Sequence, residues 1–164
     1  MQVCTGLNIA ARLLLSVPGE GSLRQKRLAN SKREQKNPPA VLIVDDEKNV
    51  ALTLRMVFEA IGYAVTTADS CAAALKILLN RPEYDAVITD LCMEEDQSGL
   101  KVAAEASNLH PRPVVLMITG FGTFENVKAA VGSMVDHFAL KPLDLDELKK
   151  IVARLIALRR DRLE

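Results

Sequence analysis

The chain has 164 residues, 49% hydrophobic and 26% charged, at a formal net charge of zero; this fits one well-buried domain and excludes the membrane and fully disordered classes. The balance hides an asymmetry, because seven of the 21 Lys/Arg and two of the 21 Asp/Glu fall in residues 1–39, leaving that stretch at +5 and the remainder at −5. An acidic body lacks the basic face that duplex DNA demands, so no direct nucleic-acid contact is expected of it.

In chain order, residues 1–39 come first. Leu13, Leu14 and Leu15 form an apolar run beside Arg12, far shorter than a membrane span, and no membrane association is expected. From Gly19 to Pro39 the sequence is rich in Gly, Ser, Asn and basic residues without apolar period. Residues 1–39 therefore read as a disordered or loosely helical basic extension, which a mistaken translation start would also produce. Cys4, Cys71 and Cys92 are odd in number and widely spaced, so they read as reduced thiols of a cytoplasmic protein rather than a disulfide or zinc framework.

At Ala40 the pattern changes to short apolar runs alternating with segments of helical period, the mark of βα units around a parallel sheet. The expected strands are Val41–Val44, Ala64–Thr67, Ala86–Thr89, Val114–Ile118 and Phe138–Leu140, giving one domain over residues 40–160. Val50, Leu54, Val57, Phe58 and Ile61 mark the inner stripe of the first helix, and Leu145, Leu148, Ile151, Val152 and Leu155 that of the last. Asp144 is placed to cap that last helix with Glu147 three positions on, while Arg159, Arg160 and Arg162 suit the negative end of its dipole.

Ligands of parallel α/β sheets bind outside the carboxyl ends of the strands, so the residues following each run are the candidates for chemistry. They are Asp45-Asp46-Glu47, Asp90, Thr119-Gly120 and Lys141-Pro142. Alone, each has a plain reading as turn former, helix cap or surface charge. Together they bring carboxylates, a hydroxyl and an ammonium to one crevice. Converging carboxylates need a cation, and an all-oxygen site suits Mg²⁺. A carboxylate flanked by a metal and a lysine is suited to attack phosphorus, which makes Asp90 the candidate phosphoryl acceptor.

The stretches VLIVDDEKNV, DAVITDLCM, VVLMITGFG and FALKPLDLDEL resemble the motifs of response-regulator receiver domains of two-component signalling, over residues 40 to about 158. That resemblance implies a flavodoxin-like (βα)5 doubly wound sheet of strand order 2-1-3-4-5. It implies that Asp90 takes phosphate from a histidine kinase or phosphotransfer protein. Asp46 and Asp90 would ligate Mg²⁺ directly, Asp45 would hold a metal-bound water, and the backbone carbonyl of Cys92 would be a further ligand. Thr119 would hydrogen-bond the phosphoryl group, Lys141 would pair with it, and Phe138 would move inward as the switch aromatic; the peptide before Pro142 would be cis. Such a domain accepts phosphate and dephosphorylates itself rather than turning over substrate. Its output would pass through another protein or a homodimer, across the face of Phe138 and the segment TFENVKAAVGSM.

One departure is plain. Where the family commonly has a proline soon after the acceptor, Met93 is followed by Glu94, Glu95, Asp96, Gln97 and Ser98, and the glycine, Gly99, comes one place late. Two rival readings are a phosphorylation-independent scaffold and an aspartyl-phosphate phosphohydrolase. The second lacks an acid two residues beyond the nucleophile, where Cys92 stands.

Overall fold

The computed structural model describes residues 37–80, 83–93, 98–120, 132 and 134–161. Five strands, β1 (Ala40–Val44), β2 (Ala64–Ala68), β3 (Ala86–Asp90), β4 (Val114–Thr119) and β5 (His137–Leu140), form one sheet. All pairings are parallel, in the order β2-β1-β3-β4-β5. The described helices are α1 (Lys48–Ala60), α2 (Cys71–Asn80), α3 (Ser98–Asn108) and α4 (Leu145–Asp161). The extension expected over residues 1–39 lies, up to residue 36, outside the described residues, as does most of TFENVKAAVGSM.

Period-two alternation explains the layering, since successive side chains of a strand point to opposite faces. Leu42, Val44, Val87, Val115 and Met117 join a core with Ala74 and Leu78 of α2 and Val102, Ala103 and Ala106 of α3. Their chain neighbours Val41, Ile43, Ala86, Ile88, Leu116 and Ile118 join a second core with Leu54 and Phe58 of α1 and Leu148, Val152 and Ile156 of α4. With helices on both faces, β3 and β4 are buried throughout and β1 nearly so, which is why they read as continuous apolar runs. The outer strands β2 and β5 are only partly covered.

One expectation is corrected in detail and one is extended. Ile61 is not core but 45% exposed: α1 has ended at Ala60, and Gly62, at φ +86°, turns the chain towards β2. Asp144 caps α4 as expected, its Oδ1 accepting from the N–H groups of Asp146 and Glu147 at 2.9 and 3.0 Å. Arg159 and Arg160, however, reach beyond their own helix. Arg159 donates to Asp136 Oδ1 at 2.6 Å, and Arg160 to Asp85 Oδ1 at 2.8 Å. Arg162 lies outside the described residues. No described helix is long and apolar enough to cross a membrane.

Candidate functional site

The parallel register carries the four candidate strand ends to one edge of the sheet. Val44 pairs with Thr89, Asp90 with Ile118 and Thr119 with Leu140, so Asp45, Asp90, Thr119 and Lys141 leave their strands as near neighbours. Backbone bonds extend the ladder one step further, from Leu91 N–H to Ile118 O at 2.8 Å and from Lys141 N–H to Thr119 O at 2.9 Å.

Asp90 is 4% exposed. Its Oδ1 accepts from the N–H of Cys92 at 3.2 Å, and its Oδ2 accepts from Lys141 Nζ at 2.5 Å. Lys141 Nζ also donates to Glu47 Oε1 at 3.2 Å, so one ammonium is shared by two carboxylates. Burial disfavours the Lys141 charge, yet its bonds to Asp90 and Glu47 prevail and lift the group above the usual lysine value.

Asp45 is fully buried. One oxygen accepts from the N–H of Glu47 at 2.8 Å, and the other is buried without a hydrogen-bond partner. Loss of water pushes the Asp45 carboxyl up to about 6; the Glu47 N–H and Lys141 oppose the rise, and Asp90 adds to it. Asp45, Glu47 and Asp90 each place a carboxylate oxygen within 4.8 Å of the others. An orphaned buried oxygen in an all-oxygen cluster is what a hard divalent cation such as Mg²⁺ fits.

Glu47 stood in the first strand-end triplet without a role of its own. Its side chain is 63% exposed and its partner is remote in sequence, so only the fold reveals that it reaches Lys141. Asp46, expected as a direct ligand, is exposed and stands outside that cluster of three. Thr119 is buried, and its hydroxyl donates to the carbonyl of Gly120 at 3.2 Å. Cys92 offers its N–H to Asp90 and keeps a free, exposed thiol. Phe138 is half-buried against the core that α2 and α3 cover. The peptide before Pro142 is cis, as expected.

The loop of Glu94 to Gln97 lies outside the described residues, but its far end is informative. Gly99 donates its N–H to Leu91 O at 3.1 Å, and a Cβ built on it would run into the backbone carbonyl of Asp90. The late glycine thus abuts the peptide of Asp90, a place any side chain would obstruct.

Residues 41–153 match the family model described as the response regulator receiver domain. The chain belongs to that family. Proteins similar to it include the transcriptional regulatory protein GlrR of Escherichia coli, 35% identical over 115 residues, 70% of this chain and 26% of GlrR. The response regulator protein PilR of Pseudomonas aeruginosa is 30% identical over 118 residues, 72% of this chain and 26% of PilR. The chain therefore spans about a quarter of the length of the curated relatives it matches. Among solved receivers, a response regulator receiver domain from Clostridium thermocellum superposes with a TM-score of 0.69 at 26% identity, covering 77% of this chain and 99% of that one. The response regulator TrrA of Thermotoga maritima, solved in complex with Mg²⁺ and BeF, gives a TM-score of 0.61 at 29% identity, covering 71% and 98%.

Proposed function

We propose that this receiver domain is a phosphorelay switch in which Asp90 accepts a phosphoryl group from the phosphohistidine of a kinase or phosphotransfer protein. The observation that carries the reading is the contact of Asp90 Oδ2 with Lys141 Nζ at 2.5 Å beside the orphaned, buried oxygen of Asp45. A carboxylate oxygen of Asp90 forms the new P–O bond as the P–N bond breaks; the imidazole nitrogen keeps the electron pair and takes a proton from solvent. Lys141 offsets charge on the phosphoryl oxygens, and buried Thr119 turns its hydroxyl from the Gly120 carbonyl to one of them. Asp45, Asp46, Asp90 and the Cys92 carbonyl are the groups assigned to Mg²⁺, which when bound neutralises charge between carboxylate and phosphoryl oxygens.

Self-dephosphorylation closes the cycle, with water attacking phosphorus and the acyl-phosphate bond breaking back to the Asp90 carboxylate. The domain is then an acceptor rather than a turnover enzyme. Phe138 follows Thr119 inward, and the altered β5 face meets an output protein or a second copy of the chain in the cytoplasm. The test is incubation with acetyl phosphate and Mg²⁺. One labile phosphate per chain, abolished in Asp90→Asn, supports the switch; continued turnover of an external phosphate ester, or no label at all, overturns it.

A further inference from the structure

We infer that Glu47 is a positioning residue for Lys141, a second anchor that competes with the acceptor site for the lysine's ammonium and so restrains phosphorylation. The inference rests on the acceptor reading above and deepens it.

Three observations lead there. Lys141 Nζ is held between Asp90 Oδ2 at 2.5 Å and Glu47 Oε1 at 3.2 Å. The two carboxylates differ in freedom, for Asp90 is nearly sealed at the end of β3 whereas Glu47 lies on the rim with its side chain 63% exposed. The Glu47 main chain is nevertheless fixed, because its N–H is tied to buried Asp45 and its carbonyl accepts from the N–H groups of Val50 and Ala51 at 2.9 and 3.1 Å. An exposed carboxylate on an anchored backbone has room to follow the ammonium without leaving the site.

An ammonium has three N–H donors and no acceptor, so it can bridge two anions but concentrates its charge on one only by leaving the other. When phosphate arrives at Asp90, the developing charge on the phosphoryl oxygens must draw Lys141 against the pull of Glu47. The carboxylate of Glu47 therefore weakens the very contact that stabilises the phosphorylated state. Its exposure makes the restraint adjustable, since a docked partner or added salt that occupies or screens Glu47 frees the lysine.

Beryllofluoride, an anion that stands in for the phosphoryl group, gives a readout independent of catalysis. Its affinity for the full chain is measured by amide shifts at saturating Mg²⁺ for wild type, Glu47→Gln and Glu47→Asp. Removing the anchor is expected to tighten beryllofluoride binding about 3- to 10-fold in Glu47→Gln, with acetyl phosphate labelling accelerated in step. Glu47→Asp keeps the charge but is one methylene shorter and loses reach to Lys141, so it should behave like Glu47→Gln. If Glu47→Asp matches wild type, or if Glu47→Gln weakens beryllofluoride binding, the inference is overturned in favour of plain charge repulsion or metal ligation. Failure of wild type itself to bind beryllofluoride would instead sink the acceptor reading on which this one stands.

Discussion

A carboxylate taken out of water must find partners or pick up a proton, and one oxygen of Asp45 has no hydrogen-bond partner. Folding raises this group from 3.8 to about 6. The sign follows: its contribution to stability is intact at low pH, where it is protonated in both states, and is lost as pH rises through the folded value. Metal-free protein should lose on the order of 2 kcal/mol between about pH 4 and pH 7 relative to Asp45→Asn. Paired urea titrations in EDTA check this, and a difference that stays flat with pH contradicts it; Mg²⁺ should narrow the gap. Gly99 carries a second expectation. Because any Cβ there meets the Asp90 carbonyl, Gly99→Ala should cost about 1–3 kcal/mol in the same titration and perturb the Asp90 amide. At this scale the sequence was readable where polar residues follow a strand and the parallel register brings them together, as for Asp45, Asp90, Thr119 and Lys141. It named Glu47 among the strand-end acids but not its partner, which is 94 residues away and is found only where the side chain reaches in the fold.

The strands were legible because burial on both faces leaves no room for polar residues, and α4 because Asp144 supplies its cap. The ties between elements were not. Asp136, just before β5, accepts both guanidinium nitrogens of a pairing set: Arg112 Nη1 at 3.0 Å and Arg159 Nη2 at 2.6 Å. It also takes the Val115 N–H at 2.8 Å. Those partners lie 24, 23 and 21 residues off, beyond any local pattern. Arg159 was therefore read from its own helix alone, as a dipole charge. The network pins the end of α4 to the start of β5, at the opposite end of that strand from Lys141. Removing the shared acceptor would take the ion-pair partner from two guanidinium groups, which keep only carbonyl contacts at Met134 and Arg112, and the acceptor from an amide, so Asp136→Ala should cost about 2–4 kcal/mol by urea unfolding. A loss below about 1 kcal/mol would mean that solvent replaces the network freely.

For the molecule as a whole, ligand binding and folding are linked through the acidic edge of the sheet. If Mg²⁺ occupies that edge, Mg²⁺ at a hundredfold excess over its dissociation constant should add about 2.7 kcal/mol to stability, and Asp90→Asn should remove most of that gain. Unchanged melting with and without Mg²⁺ would contradict it. The order β2-β1-β3-β4-β5 also divides the sheet into a stiff middle and a soft side. β5 has a single neighbouring strand and is nowhere fully buried, while β3 and β4 are sealed throughout. Amide hydrogens of β5 should accordingly exchange through local openings that leave β3 protected. The two ends of β5 are thus held differently: ion pairs clamp its start, and its finish carries the backbone bond from Lys141 N–H to Thr119 O together with the lysine's side-chain grip on Asp90 and Glu47. On the phosphorelay reading proposed above, moving the ammonium to another anion would change the load on one end of β5 while the other stays clamped.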